Sequence, residues 1–224
     1  MTAVDTTVAR PTRRPTEKPR TGWLLAVLVV SAMVMILNET ILSVALPAIM
    51  ADFGVGPAVV QWLTTGFMLT MAVVIPTTGF LLQRFTTRQI FLSAILFFLV
   101  GTVLGALAGS FAVLLTARVV QAIGTALIMP LLMTVTLTVV ASEKRGLMMG
   151  VNSVVISVAP AIGPTLSGII LNAATWHWLF WAMVPVAAAC LIAGVFLLGN
   201  VSEPRAVPFD VASVILSALA FGGI

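Results

Sequence analysis

Long apolar runs alternate with short polar segments along this chain. Runs at about 22 to 46, 58 to 81, 90 to 108, 112 to 140, 146 to 171 and 178 to 199 approach or exceed the roughly 18 to 20 residues that carry a helix across hydrocarbon. A seventh run, VASVILSALAFGGI, opens near Val211 and stops at Ile224. As a helix it would cover about 21 Å, short of the roughly 30 Å hydrocarbon thickness. The pattern predicts an all-α integral membrane protein of six complete spans plus the truncated start of a seventh, with the chain expected to be an amino-terminal portion.

Composition agrees with lipid as the solvent. Hydrophobic residues make up 60% of the chain and charged residues 8%, against about 25% charge in a soluble domain. Residues 1–21 are polar, basic and rich in Pro and Thr, so they are read as a disordered cytoplasmic tail. The run that follows is too long for a cleaved signal peptide and is read as an anchor. The expected organisation is therefore tail 1–21, bundle 22–199, cytoplasmic linker 200–209 and incomplete helix 210–224.

The charges then orient the spans. Arg10, Arg13, Arg14, Lys18 and Arg20 lie in the tail, Arg84 and Arg88 after the second run, Lys144 and Arg145 after the fourth, and Arg205 after the sixth. The alternate loops, around Asp52, Gly109 and Asn172 to His177, carry no Lys or Arg. Short basic loops stay inside, which predicts a multi-pass plasma-membrane protein with a cytoplasmic amino terminus. The pI near 10.7 thus reflects topology rather than affinity for nucleic acid. Lone Cys190 and lone His177 supply neither a disulfide nor a metal cluster, and nothing in the composition points to an enzyme or a bound cofactor.

Two charges fall well inside the runs. Glu39 lies seven residues before Leu46, and Arg118 lies six after Ala112, which places both roughly 10 Å below the outer surface. Intramembrane charges are costly and are usually paired or exposed to a water-filled cavity. Glu39 is therefore the candidate proton carrier and Arg118 its candidate partner; a permanent ion pair that fixes helix packing is the alternative. Asp210, just before the seventh run, fits an N-cap better than a buried carrier.

Other features admit two uses. Gln61, Thr65 and Met68 in the second run, and Gln121 in the fourth, could line a substrate cavity or bond between helices. Methionines 33, 35, 68, 71, 129 and 133 could form an adaptable apolar surface or ordinary packing. Trp23, Trp62, Trp176, Trp178 and Trp181 suit interfacial anchoring. In the fifth run Gly150, Ala159, Gly163, Ser167 and Gly168 permit close helix approach, and Pro160 and Pro164 promote kinks.

These motifs resemble the major facilitator superfamily, in particular its 14-span drug:proton antiporters. LNETILSVALPAI resembles that family's L-D-x-T-I-x-x-V-A-L-P, with Asn38 at the acidic position and Glu39 one residue on, about 100° around the helix. The stretch from Gly79 through Gln83 and Arg84 to Arg88 resembles G-x-x-x-D-R-x-G-R, with Gln83 for Asp and Thr86 for Gly. Arg118-Val-Val-Gln121-Ala-Ile-Gly124 resembles R-x-x-Q-G-x-G. The fifth run resembles the antiporter motif G-x8-G-x3-G-P-x2-G-G through Gly150, Ala159, Gly163, Pro164, Ser167 and Gly168, and Trp176-His-Trp-Leu-Phe180 resembles W-R-W-x-F. Together they are most similar to lincomycin-resistance-type multidrug exporters.

The resemblance implies a major facilitator six-helix bundle, alternating access around a midplane cavity with Asn38 among its candidate lining residues, and proton coupling through the arginine. The conformational motifs would be Gly79, Gln83, Arg84, Arg88, Gly150, Ala159, Gly163, Pro164 and Gly168. Small amphipathic compounds and protons are the expected partners, beside membrane lipid and a missing carboxyl-terminal half, with the proton gradient in place of a cofactor. A transporter for one specific metabolite and a non-transporting receptor or scaffold are the competing readings.

Overall fold

The computed structural model describes residues 18–198, with side chains from Gly22 onward. Most of the tail, the linker with Arg205, Asp210 and the seventh run lie outside the described residues. Among the described residues seven helices form: α1 Lys18–Phe53, α2 Pro57–Val60, α3 Trp62–Arg84, α4 Thr87–Ala106, α5 Phe111–Val139, α6 Ser142–Ala173 and α7 His177–Leu197. Gln61 keeps right-handed helical angles between α2 and α3, so these two act as one span. Six segments are then long and apolar enough to cross a membrane.

Local chemistry sets the helix ends. At the end of α1, Gly54 takes φ 61° while Val55 N donates to Met50 O at 3.2 Å, a closure that favours glycine because a side chain strains left-handed angles. Thr86 caps α4: Gln89 N donates to its Oγ1 at 3.2 Å, and Thr86 N donates back to Gln89 Oε1 at 3.1 Å. The departure from Gly at position 86 thus gives the helix a cap. Ser110 caps α5 through Val113 N.

The first span is longer than its apolar run suggests, ending at Phe53 rather than near Leu46. Pro47 lies inside the helix, where the hydrogen bond it lacks leaves one carbonyl to find another partner. Pro130 in α5 likewise has no N–H for Ala126 O; the Thr78 hydroxyl of α3, which donates to Val74 O at 3.0 Å, lies 3.4 Å from that carbonyl.

Two helices form the centre. α1 packs against α5, α6 and α7, while α5 packs against α1, α3 and α4; α4 and α7 close the far side. Glycines permit the tightest crossing. A Cβ at Gly101 would meet Ala117 O and Gln121 N at 2.7 Å, and one at Gly124 would meet Ala94 O and Phe98 N, so α4 and α5 touch backbone to backbone. α3 and α6 flank this core with little of their surface covered. The ends of the bundle differ: one bears Arg84, Arg88, Lys144 and Arg145, the other Asp52, Trp176 and His177.

Candidate functional site

Arg118 is 1% exposed in the middle of the bundle. Its Nη1 donates to Asn38 Oδ1 on α1 at 3.1 Å and to Gln121 Oε1 one turn along α5 at 2.9 Å. Nε reaches Leu63 O on α3 at 3.5 Å, and the guanidinium lies 4.1 Å from the centre of the Phe67 ring. Gln121 Nε2 then donates to Thr102 Oγ1 on α4 at 2.9 Å, and Thr102 donates to Phe98 O at 2.6 Å. One arginine therefore links four helices through buried polar groups that each have a partner, the condition under which such groups are tolerated.

The partners differ from the pair expected at matched depth. Among the described residues the hydrogen bonds of Arg118 go to neutral oxygens, and Glu39, half-buried one position along α1, acts on it only through space. Geometry explains this. Successive residues point about 100° apart on a helix, so Asn38 and Glu39 cannot both face α5. With α1 ending at Phe53, Glu39 lies about 21 Å from its helix end and Arg118 about 10 Å from Phe111. The Phe53 and Phe111 rings nevertheless touch edge to face, 6.5 Å apart. Arg118 reaches Asn38 Oδ1 despite that difference in distance along the two helices.

The remaining predicted residues separate into groups. Asn38 and Gln121 are enclosed in the arginine network, whereas Gln61, Thr65 and Met68 lie exposed on α2–α3. In α6 the close approach comes from Ala159, Gly163 and Ser167, all buried; a Cβ at Gly163 would run into Oγ1 of Thr40, the neighbour of Glu39. Pro164 is exposed, and Gly150 and Gly168 have nothing within 4 Å of a Cβ position. Only the middle of that motif therefore presses on α1. Gly79, Gln83 and Arg84 are exposed at the basic end. Arg88 Nη2 donates to Val195 O at 2.8 Å, meeting one of the carbonyls left open at the C-terminus of α7.

Several participants were not singled out from sequence. Thr102 and Phe67 complete the arginine's surroundings, and the only sequence signal for Thr102 is its place between Gly101 and Gly105. Trp176 departs from the interfacial role expected of tryptophan. It is 3% exposed, donates from Nε1 to Asp52 Oδ2 at 3.0 Å and stacks on His177 at 3.6 Å. Trp23, Trp62 and Trp178 remain exposed.

Comparison with known proteins agrees with this architecture. The model of the Major Facilitator Superfamily matches residues 28–220. The MFS-type transporter YcnB of Bacillus subtilis is 49% identical over 201 residues, which cover 90% of this chain and 43% of that protein. The lincomycin resistance protein LmrB of Bacillus subtilis is 41% identical over 187 residues, covering 84% of this chain and 39% of that one. Among solved structures, a peptide transporter in complex with sulfate superposes with TM-score 0.71 at 15% identity, over 89% of this chain and 43% of the other. The human organic anion transporter MFSD10 gives 0.70 at 17%, over 85% and 49%. Those two likenesses establish the fold alone. The chain spans less than half the length of the curated relatives it matches.

Proposed function

Because the chain belongs to the Major Facilitator Superfamily, we propose that it forms the amino-terminal half of a proton-coupled multidrug antiporter, which exports small amphipathic compounds by alternating access. It acts as a transporter and not as an enzyme, with the proton gradient as its energy source and a carboxyl-terminal half as its partner. Similarity to a lincomycin resistance protein supports drug export. The basic end of the bundle is assigned to the cytoplasm, since short Lys- and Arg-bearing loops are retained there, and the membrane is the plasma membrane.

The observation that carries the reading is the buried arginine held by neutral partners beside one carboxylate. Asn38 and Gln121 orient the guanidinium without cancelling its charge. Glu39 is the only described carboxylate that acts on it. A proton arriving at Glu39 removes that balancing charge, and the field at the centre of the bundle changes without breaking the network. Glu39 also lies beside Thr40, where α6 presses on α1 through Gly163. A change of charge there is well placed to shift α6 against α1, a sliding motion of the kind that alternating access requires.

The test is substrate-driven proton release by the complete transporter in proteoliposomes. Glu39→Gln and Arg118→Ala are both expected to lose it while the protein still inserts as a monodisperse species. Proton exchange at the wild-type rate in Glu39→Gln would remove Glu39 as the carrier.

A further inference from the structure

Asn152 has an unmet bond in a place that can receive a ligand. It lies on α6, 4% exposed, and its Nδ2 donates to Thr136 Oγ1 of α5 at 3.2 Å. Its Oδ1 has no partner, although buried acceptors are nearly always satisfied because leaving one unmet is costly. Asn152 lines a cavity of about 380 Å³ between α3, α5 and α6, together with Ile75, Met129, Met133, Met149 and Ile156. That size falls within the roughly 300 to 1,000 Å³ of small-molecule sites, and an apolar wall with a few polar groups is their usual make-up; besides Asn152 the wall holds Ser153, whose hydroxyl donates to Met149 O at 3.0 Å.

Two other cavities lack this combination. The one between α3, α4 and α5, about 440 Å³, has none of the unpartnered buried polar atoms in its wall. The one beside Asp52, about 490 Å³, has its carboxylate engaged by Trp176. Ser167 Oγ, the other unpartnered buried side-chain atom among the described residues, belongs to the stripe against α1 and lines none of the three. Methionine adds a further property, since its unbranched, polarisable side chain repacks around ligands of different shape. Pro130, also in the wall, has no N–H to offer a guest. Asn152 is therefore the polar group of this wall with an unmet acceptor, since the Ser153 hydroxyl is already engaged.

We propose that this cavity is a substrate subsite for amphipathic molecules bearing an N–H or O–H donor, with Asn152 Oδ1 as the acceptor. The proposal rests on the transporter reading and adds to it the chemistry of the molecules moved. Position fits the role, because the subsite lies toward the basic end, where an exporter would take up its cargo. Oδ1 is buried at the edge of the cavity, so a donor on the guest completes its bond once the Asn152 side chain turns toward the guest, and a guest without a donor gains only apolar contact.

Two lipophilic monocations separate these cases: ethidium, which carries two aromatic amino groups, and tetraphenylphosphonium, which has no hydrogen-bond donor. Their binding to the purified complete transporter is measured directly, and proton exchange is measured separately on the same preparations. Asn152→Leu is expected to weaken ethidium roughly three- to tenfold, the worth of one hydrogen bond, and to leave tetraphenylphosphonium within about twofold. Asn152→Asp retains an acceptor and should retain ethidium binding. Met149→Ala, which trims the shared apolar wall, should weaken both probes. Equal loss of both probes in Asn152→Leu would make Asn152 a packing residue and overturn the proposal. So would no loss of either, as expected if the other half of the transporter fills the cavity, or absence of binding in the wild type. Selective loss of ethidium without any proton exchange would support the subsite while removing the antiporter reading.

Discussion

The most apolar 18-residue stretches of α5 and α6 have the same mean hydropathy, 2.0, yet 56% of that of α5 is buried inside the bundle and only 17% of that of α6. Hydropathy records that both helices can live in lipid, and it cannot rank them further, because a leucine side is as comfortable against lipid tails as against another helix. What separates them is the placement of residues that lipid cannot satisfy or that shorten the distance between axes. α5 carries Arg118, Gln121 and Thr125 on its buried side, with Gly124 set against the α4 backbone. α6 offers Ala159, Gly163 and Ser167 to α1, and leaves Gly150, Pro160 and Pro164 uncovered.

The largest effect should come from the centre of that contrast. Arg118→Leu leaves Asn38 Oδ1 and Gln121 Oε1 without their donor, at about 1 to 3 kcal/mol for each orphaned group. Thermal unfolding in detergent should show a marked loss; an unchanged midpoint would mean that the network does not hold the core. Gly124→Ala is the next most severe, because its Cβ would strike Ala94 O and Phe98 N. Main-chain atoms have little room to move, and overpacking of this kind costs about 1 to 3 kcal/mol. Gly163→Ala should cost less, roughly 1 kcal/mol, since the nearest atom it meets is the Thr40 hydroxyl, which can rotate away, and the little-covered α6 can yield to the fixed Thr40 Cβ. A loss as large as that of Gly124→Ala would show that α6 is held as tightly as α4. The smallest effect belongs to Gly150→Ala, which meets nothing within 4 Å. It should leave stability unchanged or raise it by up to about 1 kcal/mol through helix propensity, and measurable destabilisation would reveal a hidden neighbour on that face.

Much of the architecture was legible in the chain. All six spans appear near their predicted places, since a run of about 20 apolar residues has few alternatives in lipid. The largest boundary error is at the first span, whose apolar run reads to about residue 46 while the helix continues through Pro47 to Phe53. The site was legible in part. Depth singled out Arg118, and the residue patterns drew attention to Asn38 and Gln121. Nothing in one dimension indicated that Thr102 would receive Gln121, or that Trp176 would be buried against Asp52, because both depend on which helices become neighbours.

By itself, then, the sequence determined the solvent, the number of crossings and the stock of charged, small and polar residues inside them, because those follow from composition along a 1.5 Å-per-residue rise against a fixed hydrocarbon thickness. Only the tertiary structure decided which of those residues meet. Arg118 bonds Asn38 and Gln121 while Glu39 stays one position away. The reason is angular: neighbours on a helix point about 100° apart, so packing admits one of two adjacent polar side chains to the arginine and leaves the other, the carboxylate, at the edge of the network.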